Sequence, residues 1–204
     1  MERSRALCRI NMKVIFMRHG QTSENAAHRH QPNKTELSPA GRGQAIAAAE
    51  KLRLLSPTHL ISSPHNRTLQ TASIIGQELD MIPSIAHNVR ELERPRHLTG
   101  QKHFSLWSLL FYKFWWLGFA QGGESYKELR ERVALAKDEL AKLPEDAVVV
   151  VVSHTVFINL FLAHMNRERP LWPWQAVWTF WKLISMRNAA LIELSVVNGR
   201  WTRT

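Results

Sequence analysis

The sequence predicts an α/β protein, a three-layer α/β/α sandwich on a mostly parallel central sheet. Three observations predict it. Short apolar runs alternate along the chain with long helical stretches, the order of an α/β architecture. The most apolar run, Ala147–Val152 (AVVVVV), has no polar face, as a strand covered on both sides requires. Polar pairs directly follow the runs: Arg18-His19, Ser62-Ser63 and Ser153-His154. In a parallel sheet these would converge on the carboxyl edge, where α/β sites form.

Each element follows from local chemistry. Lys13–Met17 (KVIFM) reads as a buried strand entering a turn at Arg18-His19-Gly20. Ser38 suits an N-cap and Pro39 a first helical position, opening a helix to about Leu55. His59–Ser62 is a second strand, followed by a helix from about Pro64 to Leu79. Ser125 and Glu128 have capping-box spacing at the head of a helix reaching about Lys142. After Ala147–Val152 comes a helix over Thr155–His164, and Ala189–Val197 is expected as the last strand. Residues 1–11 are expected to be disordered or extended, and they lack the apolar core of a signal peptide. Residues 12–204 are expected to form one domain, in line with a chain of 204 residues.

Charge and cysteine content narrow the function classes. Lys and Arg number 27 against 17 Asp and Glu, a net charge of +10. The excess is scattered, without the stripe or module of a nucleic-acid-binding protein, so nucleic acid is not an expected partner. Small phosphorylated substrates are the expected anionic partners. The lone Cys8 excludes an internal disulfide and fits a cytoplasmic location. The most apolar window, Phe104–Ala120, is about one turn short of a bilayer span and carries Lys113 near its middle. No transmembrane helix is expected there.

The predicted sheet edge offers two imidazoles, His19 and His154, and two permanent cations, Arg18 and Arg67. Arginine presents a planar fork of donors that matches phosphate. Asn25 could add neutral donors. A neutral imidazole nitrogen facing phosphorus can attack it, giving a phosphohistidine, and the departing alkoxide then requires a carboxylic acid nearby. His28 and His30 imitate a metal pair, but two loop histidines are expected simply to be solvated.

These residues carry a resemblance. Met17-Arg18-His19-Gly20-Gln21-Thr22-Ser23-Glu24-Asn25 resembles the signature of the histidine phosphatase superfamily, the phosphoglycerate-mutase-like proteins. Four further blocks follow in order: Leu37–Ala45, Ser62–Ala72, Gly123-Glu124-Ser125 and Val152-Ser153-His154. The resemblance implies that His19 is the phosphorylated nucleophile. It implies that Arg18, Arg67 and His154 bind the phosphoryl oxygens, with His154 counted also among the catalytic residues, and that Asn25 lies at the pocket wall. No metal and no organic cofactor are implied. The proton donor falls in Val89-Arg90-Glu91-Leu92-Glu93, where register favours Glu91 and leaves Glu93 as the alternative.

The chain departs from the family after Glu91. Glu93-Arg94-Pro95-Arg96-His97-Leu98 stands where the mutases have Glu-Arg-His-Tyr-Gly, which favours a phosphatase. An aromatic-rich helical insertion at about 95–122 follows, with Phe104, Trp107, Phe111, Tyr112, Phe114, Trp115, Trp116 and Phe119. Trp172, Trp174, Trp178, Phe180 and Trp181 form a second cluster. Three readings stand side by side: an extra core, a lid giving an apolar wall, and weak membrane-surface contact through the Trp-rich segments. The expected activity is that of a metal-independent phosphomonoester hydrolase of the histidine acid-phosphatase type, acting on an ester with an apolar or aromatic group. The alternatives are a mutase-like phosphotransferase and a non-catalytic module that binds phosphorylated ligands.

Overall fold

The computed structural model describes residues 11–119, 122–172, 175 and 186–204. The expectation for residues 1–11 therefore lies, except for Asn11, outside the described residues, as does most of the second aromatic cluster.

Strand β1 (Met12–Arg18) alternates its buried side chains between two faces. Val14 and Phe16 enter one apolar core, and Ile15 and Met17 enter another. Strand β4 (Val148–Ser153) does the same, sending Val149 and Val151 one way and Val150 and Val152 the other. A sheet buried on both faces must be covered by helices on both, which makes three layers. Helices α2 (Pro39–Arg53) and α3 (Asn66–Leu79) cover one face through Ala48, Ala49, Leu52, Ala72 and Ile75. Helices α5 (Tyr126–Leu140) and α6 (Thr155–His164) cover the other, with Leu129, Val133, Phe157 and Phe161 fully enclosed. A four-residue helix α1 (Ser23–Ala26) lies in the loop after β1.

The six strands lie in the order β3-β2-β4-β1-β5-β6, with β2 at His59–Ser62, β3 at Ser84–Ile85, β5 at Leu191–Val197 and β6 at Arg200–Arg203. Strands β3, β2, β4 and β1 are mutually parallel, whereas β5 runs antiparallel to β1. Arg18 pairs with Ser153 and Ser62 with Val152, so three strands end at one level. Beyond it the chain stays tied to the edge. His19 N–H donates to the Ser153 carbonyl (3.1 Å) and Ser63 N–H to the Val152 carbonyl (3.1 Å).

The caps hold as expected. Ser38 Oγ accepts from Gly41 N–H, and Ser125 and Glu128 form the reciprocal box. Two boundaries and the strand count are corrected. Helix α3 begins at Asn66, because Ser63 still bonds to β4 and His65 stays extended as the cap. The fifth strand begins at Leu191, since Ala189 takes a left-handed conformation (φ 54°). It is also not the last. Asn198 and Gly199 adopt positive φ values (51° and 73°) and turn the chain into β6. An Asn-Gly pair is the signal for such a hairpin. Trp201 on β6 is buried against Phe161, ring centroids 5.0 Å apart.

The insertion contributes helix α4 (Leu106–Trp116), capped by Ser105. Phe111 and Trp115 join the core beneath it, and Trp115 Nε1–H donates to the Glu124 carbonyl (2.8 Å). Trp107, Phe114 and Phe119 remain exposed. The insertion is laced to the loop after α1 by backbone bonds: His30 N–H to Gln101 O, Gly100 N–H to His30 O and His103 N–H to His28 O, each 2.9 Å. Among the described residues, no helix is long and apolar enough to cross a membrane.

Candidate active site

At the carboxyl edge of β1 the chain turns sharply over α2. A Cβ on Gly20 would stand 2.4 Å from the Gly41 carbonyl oxygen, and one on Gly41 would stand 2.1 Å from the Gln21 oxygen. This mutual approach of two backbones admits only glycine, and it fixes His19 between them and β4. His19 is 3% exposed. Its Nδ1 lies 2.7 Å from the Gly20 carbonyl, and its Nε2 lies 3.2 Å from Arg67 Nε. A carbonyl only accepts and a guanidinium only donates. Nδ1 therefore carries the hydrogen, and Nε2 presents its lone pair. Burial first, then the Arg67 and Arg18 charges, hold the imidazole well below its ordinary pKa. His19 is a neutral, oriented base at neutral pH.

Arg67, in the first turn of α3, is also 3% exposed. Its Nη2 donates to His154 Nδ1 (3.1 Å) and His65 Nδ1 (3.3 Å), and its Nη1 to the Pro32 carbonyl (3.2 Å). Burial lowers its pKa to about 10, opposed by the Glu91 charge, so it stays a cation. His154 is fully buried at the N-cap of α6, its ring centroid 5.3 Å from that of His19. With Nδ1 accepting from Arg67, its Nε2–H donates to Ser63 Oγ (2.7 Å). Burial, then Arg67, pushes this imidazole down as well. Arg18 reaches across to the Met186 carbonyl.

These groups open on a cavity of about 450 Å³. Arg18, His19, Asn25, Arg67 and Glu91 line it, and His154 lies behind Arg67. Asn25 is held in a capping box with Thr22 and donates through Nδ2 to Asn188 Oδ1 (3.1 Å). The two acid candidates separate. Glu91 lines the cavity, its Oε1 accepting from the N–H groups of Leu92 (3.0 Å) and Phe157 (3.4 Å). Glu93 is exposed and lines a different groove, against Gly123 and Glu124.

The expectation for the loop histidines is half corrected. His28 is exposed, whereas His30 is buried, with Nε2 2.9 Å from Ser108 Oγ on α4. Burial and then Arg94 lower its pKa to about 3, and the same pair of causes lowers His103 to about 4. His30 anchors the insertion. Among the described residues no group of three metal-ligating side chains forms.

Three of the cavity's further lining residues, Arg94, His103 and Arg187, were given no role from the sequence. Arg94, with Nε 3.1 Å from Tyr112 Oη, joins Phe104, Tyr112, His103 and Arg187 along the outer wall. Ser63 and His65 stood in the matched block beside Arg67 and could have been read from it. Arg94 had no such signal, because it sits where the motif is broken. The first aromatic cluster serves two ends: Phe111 and Trp115 are core, while Phe104 and Tyr112 line the cavity. Trp174, Trp178, Phe180 and Trp181 lie outside the described residues, and Trp172 is exposed.

Comparison with known proteins gives a family and a shared fold. Residues 14–203 match the family model of the histidine phosphatase superfamily (branch 1). The chain is 28% identical over 198 residues to the probable phosphoglycerate mutase GpmB of Salmonella choleraesuis, covering 93% of this chain and 87% of that protein. A mycobacterial glucosyl-3-phosphoglycerate phosphatase, solved with VO3, is 29% identical and superposes with a TM-score of 0.76, over 94% of this chain and 96% of that one. The phosphoserine phosphatase of Entamoeba histolytica, 24% identical, shares the fold with a TM-score of 0.77 over 95% of each chain.

Proposed function

Because the chain belongs to the histidine phosphatase superfamily (branch 1), we propose that it is a phosphomonoester hydrolase working through phosphorylated His19. The observation that carries this reading is the neutral Nε2 lone pair of a buried His19 facing a cavity walled by Arg18, Arg67 and Glu91. The phosphoryl group enters against Arg18 and Arg67, whose donors offset its charge and stabilise the in-line transition state. Nε2 attacks phosphorus, the P–O ester bond breaks, and its electron pair leaves on the alcohol oxygen. Protonated Glu91 gives that oxygen its proton. Glu91 carboxylate next takes a proton from water, which attacks phosphorus. The P–N bond breaks, phosphate departs, and the lone pair returns to His19.

His154 takes part through its Nδ1 lone pair. In the present arrangement Nδ1 accepts from Arg67 and Nε2–H donates to Ser63. When Arg67 turns its donors to phosphate, Nδ1 is released to accept a hydrogen bond from the hydroxyl of a monoanionic phosphoryl group, and Nε2–H stays on Ser63. The fully buried His154 thus contacts the phosphoryl group without becoming charged.

The insertion supplies specificity on this reading. Phe104 and Tyr112 form an aromatic wall, suited to an apolar or aromatic alcohol. The test is phosphate release from an aryl phosphate in EDTA, with acid-labile phosphohistidine trapped in parallel, for the wild type and His19→Ala. Release and trapping by the wild type alone support the proposal. Release by both proteins refutes the role of His19. Trapping with phosphoryl transfer to a second alcohol, in place of free phosphate, identifies a mutase.

A further inference from the structure

Glu91 stands in a loop outside the sheet, after the short strand β3 and a 3₁₀ turn at His87–Val89. A general acid must be held to within about 0.5 Å of its working position, yet this loop has no strand ladder around Glu91. Its carbonyls are instead taken, one after another, by side chains. Arg132 of α5 donates through Nη1 to Asn88 O (2.9 Å) and Arg90 O (2.7 Å), and through Nη2 to Glu91 O (3.4 Å). Ser153 at the end of β4 donates to Val89 O (2.6 Å). Four consecutive carbonyls, from 88 to 91, are thereby fixed to α5 and to the sheet edge.

Arg132 is itself fixed. It is 5% exposed, its guanidinium carbon lies 5.4 Å from the Phe157 ring centroid, and Glu124 grips it with two bonds of 2.6 Å. Phe157 links the two parts of the arrangement. Its ring packs under Arg132, and its N–H holds Glu91 Oε1. Neither Glu124 nor Arg132 lines the reaction cavity. Glu124 balances the Arg132 charge, so Arg132 serves as a rigid fork of donors rather than a further phosphate ligand.

We propose that Glu124 and Arg132 form a positioning pair that sets the Glu91 carboxyl for proton transfer to the leaving group. This rests on the reading of Glu91 as the acid. The consequence is selective. An ester whose leaving group departs unprotonated needs little from Glu91, whereas an alkoxide leaving group needs its proton.

The experiment compares p-nitrophenyl phosphate with benzyl phosphate, similar in size and different in leaving-group acidity, in wild type, Glu91→Gln and Arg132→Lys. Lysine keeps the charge beside Glu124 but loses the fork. The expected result is that Arg132→Lys lowers the benzyl-to-p-nitrophenyl ratio of kcat/KM about tenfold, within kcat rather than KM, and Glu91→Gln lowers it about a hundredfold. An equal loss on both esters with Arg132→Lys, or no loss on either, overturns the positioning role if Glu91→Gln is selective. A non-selective Glu91→Gln overturns the acid assignment, and the pair's role with it. Should Arg132→Lys fail to fold, Ser153→Ala removes the bond to Val89 and tests the same loop by the same ratio.

Discussion

Replacing Arg67 with lysine tests the centre of the proposed mechanism, because it keeps the charge and removes the geometry. Arg67 donates from Nε, Nη1 and Nη2 to His19, Pro32, His154 and His65, at 3.1–3.3 Å. These directions bring its Nε and one Nη to His19 and His154, which flank the proposed phosphoryl position. A lysine offers one nitrogen and cannot span both. A hydrogen bond to a charged group contributes about 1.5–3 kcal/mol, so losing two such bonds to the transition state costs about 3–6 kcal/mol. That corresponds to a fall of about 10²–10⁴ in kcat/KM. The assay is p-nitrophenyl phosphate turnover, beside a thermal melt and phosphohistidine trapping on the same samples. A folded Arg67→Lys protein with kcat/KM within about threefold of wild type would refute the claim that the fork, rather than the charge, stabilises transfer.

Other perturbations follow from the same structure. His30, His65, His103 and His164 have pKa values lowered to about 3, 4, 4 and 4, in each case by burial and then by nearby arginines. Between these values and 6.5 the unfolded chain binds more protons than the folded one, so stability falls as pH drops through that window. Tm should therefore decline from pH 7 to pH 4, and a flat profile would contradict the buried, neutral histidines. Phe104→Ala opens the aromatic wall and should lower kcat/KM for a naphthyl phosphate about tenfold while leaving glycerol phosphate less affected, since one large apolar contact contributes about 1–3 kcal/mol of discrimination. Equal loss on both would remove Phe104 from specificity. Gly41→Ala places a methyl group 2.1 Å from the Gln21 carbonyl oxygen, so backbone must move next to His19. It should cost about 1–3 kcal/mol of stability, read from urea melts, and reduce turnover; an unchanged midpoint would show that the two loops separate freely.

Much of the site was legible in the sequence because its residues are tied to strand ends. Arg18-His19 and Ser153-His154 follow apolar runs, and parallel neighbours with matched register must bring such positions together. Arg67 was legible for a related reason, at the start of a helix after a strand. Glu91 and Glu93 were not separable in this way. They differ by two residues in a loop without periodicity, and Arg132 and Ser153, distant in sequence, determine how the loop lies. His30 was misread as solvated because nothing local signals that a later helix will lay Ser108 over it.

The sequence by itself determined the layers and the strand edge, since alternation, capping and β-branched runs act over a few residues. It also carried the Asn198-Gly199 turn into β6, although the reading stopped one strand short. Tertiary structure alone decided which nitrogen of His19 is free and which aromatics of the insertion become core or wall, and it separated Glu91, which register already favoured, from Glu93. Those outcomes depend on donors and surfaces supplied by segments far away in the chain, and a tautomer or a loop's direction has no local code. The orientation of the His19 ring arises from the Gly20 carbonyl on one side and Arg67 on the other, which meet only when the sheet and α3 have packed.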